Sequence, residues 1–195
     1  MSNISPLDNR YKKYVSELNE YFSEQALMKF RLYVEINYLI FLLQHRALKN
    51  IVSLDKKDQQ KLEKIYSNFD QKEYNEVKRI EAKTKHDVSA VIQYLSKKVE
   101  NNISKALVPW VHFGLTSEDI NGAAYSLMIK EAVRSSLLKT LEKLSGALKK
   151  LVSQNKDFPM LALTHGQPAT TTTLGKEMAV FHARLSRQIE QLKKR

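Results

Sequence analysis

The chain has 195 residues, 43% of them hydrophobic, with 5 glycines, 4 prolines, no cysteine and a formal net charge of +11. Turn residues this scarce argue against an all-β fold, and the lack of cysteine excludes disulfides, thiolate metal sites and a thiol nucleophile. The longest apolar run, residues 38–43, is too short to span a bilayer. The lysines alternate with Glu and Asp, as in KKDQQKLEKIY, which reads as solvated helix faces rather than a nucleic-acid surface.

The polar start MSNISPLDNRYKKY reads as no secretory signal. A cytoplasmic protein is therefore expected, without membrane or nucleic-acid partners. Residues 23–50 are broadly apolar around Leu27, Phe30, Val34, Tyr38, Phe41 and Leu42, which predicts a core helix. Residues 53–69 predict a shorter surface helix. Residues 70–82 open with Asp70 and Glu73 in capping-box spacing. Another helix is predicted over 86–100, with Val88, Val91, Ile92 and Leu95 on one side.

Beyond the Pro109 connector the texture changes. Between Ser117 and about Lys156 there is no proline, and Leu137, Leu141, Leu144, Leu148 and Leu151 form a heptad seam. A loop is expected over 157–169, after which Leu174, Met178, Phe181, Leu185, Ile189 and Leu192 restart the seam. The expectation is all-α: a compact helical domain over 1–110, then the first long helices of a bundle over 111–195. Two long helices cannot cover each other's apolar stripes alone, and the seam stops in mid-pattern. Homo-oligomerisation and a longer parent protein are both expected.

Three polar clusters share the form Ser/Thr-x-x-Asp: SPLD (5–8), TKHD (84–87) and TSED (116–119). Such boxes usually only cap helices. Arg10 and Tyr11, His86, and His112 stand beside them, however, and a helix start with cationic neighbours suits a phosphate or carboxylate. If one helix ran from 72 to 99, His86 would lie roughly 200° from Thr84 and point away from the core stripe. An isolated histidine there would be a solvated surface residue. His165 sits in the expected loop between Thr164 and Gly166, with Gln167 and Pro168 following and Thr170 to Thr173 available to cap the last helix. A loop histidine suits proton transfer at neutral pH. His45 and His182, in helices without such clusters, read as structural. No HExxH, GxGxxG or GxxxxGK[ST] motif is present, which leaves a cofactor-free enzyme or a binding module.

Four segments in order, SPLDNRY, EAKTKHDVSAV, VHFGLTSEDIN and LTHGQPATTTTLGKEMA, together resemble the adenylosuccinate-cleaving branch of the fumarase/aspartase superfamily. The resemblance runs over essentially the whole chain. It implies a C–N lyase that eliminates fumarate from adenylosuccinate and from the succinyl-carboxamide nucleotide of purine synthesis. Arg10, Tyr11, Lys85, His86 and Asp87 would bind the nucleotide, and His112 would lie near its phosphate. Thr116 and Ser117 would hold a succinyl carboxylate, Gln167 would contact substrate, and His165 would be the general acid. The family's base is a serine in a Ser-Ser-x-Met-Pro-x-Lys-x-Asn loop, a stretch this sequence does not contain. The resemblance also implies a homotetramer with sites built from three subunits, so the 195 residues alone are expected to be inactive. A superfamily sibling acting on another succinyl-type or carboxymuconate substrate, and a non-catalytic helical association module, are the alternatives.

Overall fold

The computed structural model describes residues 5–45 and 54–194. The chain forms two compact units, 1–131 and 132–195. The predicted starts at residue 53 and the predicted helical residues 46–50 lie outside the described residues.

In the first unit, Ser5 and Asp8 close the predicted capping box over a 3-10 turn, Pro6–Asp8. Two short helices follow, α1 (Lys12–Val15) and α2 (Asn19–Phe22). Ser23 then caps α3 (Glu24–Gln44) by accepting from the Ala26 N–H. Asp55 caps α4 (Lys56–Ser67), and Asp70 caps α5 (Gln71–Thr84) by accepting from the N–H groups of Lys72 and Glu73. α6 (Asp87–Asn102) leads through a 3-10 turn, Lys105–Trp110, to α7 (Ser117–Ala132).

The core is built on α3. Met28, Leu32, Ile36, Leu39, Ile40 and Leu43 pack with Leu62 of α4, Val77 of α5 and Val91, Tyr94, Leu95 and Val99 of α6. Each fully buried aliphatic of this size stabilises the fold by about 1.5–3 kcal/mol relative to exposure. The buried face is not the predicted one. Leu27, Phe30, Val34, Tyr38 and Leu42 are half-buried, and Phe41 is 68% exposed. α3 is apolar nearly all round, so its periodicity does not choose a face; packing against α4 and α6 does.

Interleaved charges settle onto helix surfaces as the sequence predicts. Lys78 pairs with Glu24 and Glu81, Lys97 with Glu76, and Lys98 with Glu73. Glu73 also accepts from the buried Tyr94 hydroxyl at 2.5 Å, which leaves Asp70 to cap α5. No helix among the described residues is long and apolar enough to cross a membrane.

The second unit begins at a π turn, Val133–Leu137, followed by α8 (Leu138–Gln154). The helical run predicted from Ser117 is thus found as α7, a π turn and α8. α8 packs antiparallel to α9 (Leu174–Lys193), with Lys193 paired to Glu142 at one end. At the other end the Gly175 N–H donates to the Asn155 carbonyl at 2.8 Å. A Cβ on Gly175 would meet the Lys156 backbone at 2.6 Å, so only glycine allows this approach. Leu144, Leu151 and Phe181 are 51%, 45% and 55% exposed, so part of the seam is left uncovered within this unit, while Ile189 is buried and the rest of it within α8 and α9 is half-buried.

Between α8 and α9 the expected loop is instead an antiparallel hairpin, β1 (Pro159–Thr164) and β2 (Gln167–Thr173). The threonine run is β-branched and suits a strand. His165 and Gly166, at φ 50° and 75°, form a two-residue turn with both central residues at positive φ, as a type I′ turn requires. An extra residue in β2 between Pro168 and Thr171 absorbs the irregularity that proline, lacking an N–H, brings to the ladder. Thr173 caps α9 by accepting from the Lys176 N–H. The fold is otherwise helical, as predicted.

Candidate active site

One polar line crosses the apolar α3: Arg31, Glu35 and Tyr38, at helical spacing. Arg31 is 2% exposed and Glu35 1% exposed, positions where a charge persists only with partners. The Arg31 guanidinium donates through Nη2 to Asp87 Oδ2 at 2.7 Å and through Nε to Asn121 Oδ1 at 3.0 Å. One turn on, Glu35 Oε1 lies 2.5 Å from His112 Nδ1. The Tyr38 hydroxyl donates to the Phe113 carbonyl at 2.9 Å. A single helix therefore fixes the first residue of α6, the loop 111–116 and, through Asn121, the N-terminal part of α7.

Among the described residues, three non-glycine residues hold positive φ: Lys85 at 55°, His112 at 59° and His165 at 50°. All three are candidates from the sequence. The left-handed region costs an ordinary residue on the order of 1 kcal/mol, and such strain gathers at functional sites.

At 84–87 the structure corrects the sequence. The Thr84–Asp87 capping box does not form, and no helix runs unbroken from 72 to 99. Lys85 turns left-handed and ends α5, its N–H donating to the Glu81 carbonyl. His86 is the N-cap of α6, and its Nδ1 accepts from the Ser89 N–H at 3.3 Å. That bond needs a lone pair on Nδ1, so the neutral tautomer carries its proton on the exposed Nε2. Asp87, freed from capping, meets Arg31. Desolvation opposes the Asp87 carboxylate, but the Arg31 bond, the Val88 N–H and the Arg31 charge together hold it below the ordinary range.

The TSED box holds in part: the Thr116 N–H and hydroxyl both donate to Asp119 Oδ2, at 2.7 and 2.8 Å. These two bonds, the backbone one first, lower the Asp119 pKa. Ser117 begins α7 and is half-buried, while Thr116 is exposed. Burial pushes the Glu35 carboxyl up, and the hydrogen bond and charge of His112 oppose that rise.

The remaining candidates are Arg10, Tyr11, His165 and Gln167. Arg10 and Tyr11 are exposed at the N-terminal turn, with the Arg10 guanidinium 5.4 Å from the Tyr11 ring centre, a cation–π distance. His165 is exposed at the hairpin tip in the second unit, and Gln167 opens β2 opposite Thr164. A concavity of about 670 Å³ in the first unit, lined by Ser23, Lys29, Tyr33 and Tyr66 among others, contains none of these residues. Charged anchors, not volume, mark the site. Arg31, Glu35 and Asn121 are missing from the sequence reading. Arg31 and Glu35 have the spacing of an ordinary intrahelical ion pair, which masks two separate long-range bonds. Their one sequence signal is charge inside an otherwise apolar helix.

Comparison with known proteins adds to this geometry. An adenylosuccinate lyase of Legionella pneumophila (strain Corby) is 44% identical over 190 residues, 97% of this chain and 42% of that protein. One from Dictyostelium discoideum is 44% identical over 193 residues, and one from Escherichia coli (strain K12) 40% over 190. The chain thus spans about two fifths of the length of these relatives. Among solved structures, a fumarate lyase from Mesorhizobium sp. BNC1 superimposes with a TM-score of 0.72 at 20% identity, covering 92% of this chain and 39% of that one. A β-carboxy-cis,cis-muconate cycloisomerase from Acinetobacter calcoaceticus gives 0.71 at 17% identity, over 92% and 40%. These two share the fold. The sequence profile of the lyase family matches residues 9–195, and the chain belongs to that family.

Proposed function

We propose that this chain is the N-terminal portion of an adenylosuccinate lyase, a C–N lyase of purine nucleotide biosynthesis. It would act on adenylosuccinate and on the succinyl-aminoimidazole-carboxamide ribotide. The observation that carries the reading is the α3 anchor line. Arg31, Glu35 and Tyr38 gather Asp87, His112 and the N-terminal part of α7, where the sequence resemblance puts contacts to the nucleotide, its phosphate and the succinyl carboxylate. Relatives at 40–44% identity that bear this name support the substrate.

In the reaction, a base removes a proton from the succinyl β-carbon. The electron pair left there forms the double bond of fumarate as the Cα–N bond breaks, and His165 gives a proton to the departing nitrogen. Thr116 and Ser117, at the positive end of α7, hold the carboxylate on which charge develops. Arg10, Tyr11, Lys85, His86 and Asp87 bind the nucleotide, and Gln167 contacts the substrate beside His165. The base is a serine outside these 195 residues. The division into a helical domain over 1–110 and a bundle beginning at 111, and a cytoplasmic homotetramer with shared sites, belong to the same proposal. The exposed seam residues Leu144, Leu151 and Phe181 of α8 and α9 support association.

The test is fumarate release from adenylosuccinate by the protein of the full reading frame, wild type against His165→Ala, with the 195-residue chain as control. Release that collapses in the variant and is absent from the control is expected. No release by the full-length wild type refutes the reading.

A further inference from the structure

Glu35 is, with Arg31, one of two buried charged residues of α3. It lies between Leu32 and Ile36, both 0% exposed, where an aliphatic side chain would bury without the cost of desolvating a carboxylate. One oxygen, Oε1, is spent on His112 Nδ1 at 2.5 Å, and the other, Oε2, is buried with no hydrogen-bond partner among the described residues. His112 itself is held in a left-handed backbone, and the next residue is tied to Tyr38. Packing does not account for a charge placed there at such cost; orienting the imidazole does.

We propose that Glu35 is a positioning residue of this active site. Its carboxylate accepts the Nδ1 proton of His112 and so presents Nε2 to the phosphate of the nucleotide. When Nε2 is protonated, the carboxylate behind the ring balances the imidazolium that donates to the phosphate. This rests on the adenylosuccinate lyase reading. A bond that merely stabilised the loop would leave nucleotide affinity alone once the protein had folded.

Nitrogen-15 NMR of histidine-labelled full-length wild type should find the His112 proton on Nδ1; an unprotonated Nδ1 overturns the proposal without any variant. In Glu35→Gln, the KM for adenylosuccinate and the inhibition constant of AMP should rise on the order of ten- to hundredfold, the range of a lost charge-assisted hydrogen bond. The kcat should fall by less than that factor, and inhibition by fumarate, which has no phosphate, should not change. Glu35→Asp should recover part of the loss. In a His112→Ala background, Glu35→Gln should add nothing. A folded Glu35→Gln protein that binds AMP like the wild type overturns the proposal, as does a Glu35 effect undiminished without His112. A wild type that releases no fumarate refutes the lyase reading instead, while the Nδ1 proton and AMP binding still report on Glu35.

Discussion

Arg31→Met removes the guanidinium but keeps an unbranched stem in the same buried channel. The wild-type side chain makes one bond of 2.7 Å to Asp87 and one of 3.0 Å to Asn121. Hydrogen bonds to charged groups are worth about 1.5–3 kcal/mol each. Two effects reduce the sum: Asp87 has a side chain 49% exposed and can rehydrate, and methionine is cheaper to bury than an ion. A net loss of about 2–3 kcal/mol remains, the upper half of the usual range for single substitutions. With a urea m-value of about 2 kcal/mol/M, the unfolding midpoint should fall by about 1 M. Far-ultraviolet circular dichroism across a urea series measures this. Hydrogen exchange should quicken at the starts of α6 and α7 before it does in the middle of α3. A midpoint shift below about 0.3 M, well under the expected loss at that m-value, would mean that Arg31 does not organise these helix starts.

Three further outcomes follow from the same geometry. Gly175→Ala places a Cβ 2.6 Å from the Lys156 backbone and should cost about 1–3 kcal/mol as overpacking; an unchanged thermal midpoint would contradict the close approach. Lys85→Gly relieves a left-handed backbone and should stabilise the first unit by up to about 1 kcal/mol while weakening nucleotide binding; a loss of stability would show that Lys85 packs more than it strains. Burial raises the Glu35 pKa above the ordinary glutamate value of 4.5, with the His112 bond opposing. The folded state therefore holds that proton more tightly than the unfolded chain, and this contribution is complete below pH 4.5 and lost as pH rises through the folded value. Glu35→Gln should flatten that slope in unfolding measured across pH, and an identical slope would exclude Glu35 as its source.

How far the sequence carries can be judged residue by residue. The SPLD box, the start of α5 at Asp70 and the N-cap at Thr173 are local chemistry, and local chemistry is visible in a string of letters. The face of α3 is not, because a helix apolar on most sides lets its neighbours decide. The Thr84–Asp87 box failed for a related reason: Asp87 had a stronger partner 56 residues away in Arg31. Arg31 and Glu35 themselves looked like a pair and act as two separate anchors. The hairpin was hidden by Pro168, which argues against a strand unless the extra residue beside it is foreseen. The neighbours of His112 and His165 single them out as candidates in the sequence, whereas the left-handed backbone they share is set by the folded turns around them.

The hairpin also behaves as a measuring rod. Its base is fixed twice, by the Leu174 N–H on the Phe158 carbonyl at 3.0 Å and by Gly175 on Asn155. Its tip is fixed by a turn that admits only two residues. Between these points the number of residues, including the extra one in β2, is set, and a one-residue slip would turn every side chain of a strand to its other face. Exchanges at the exposed positions 161, 163 and 170 should be graded in effect. Adding or removing a single residue should not: it would carry His165 away from the tip or Thr173 away from its cap, so this arm tolerates new letters but no change of length.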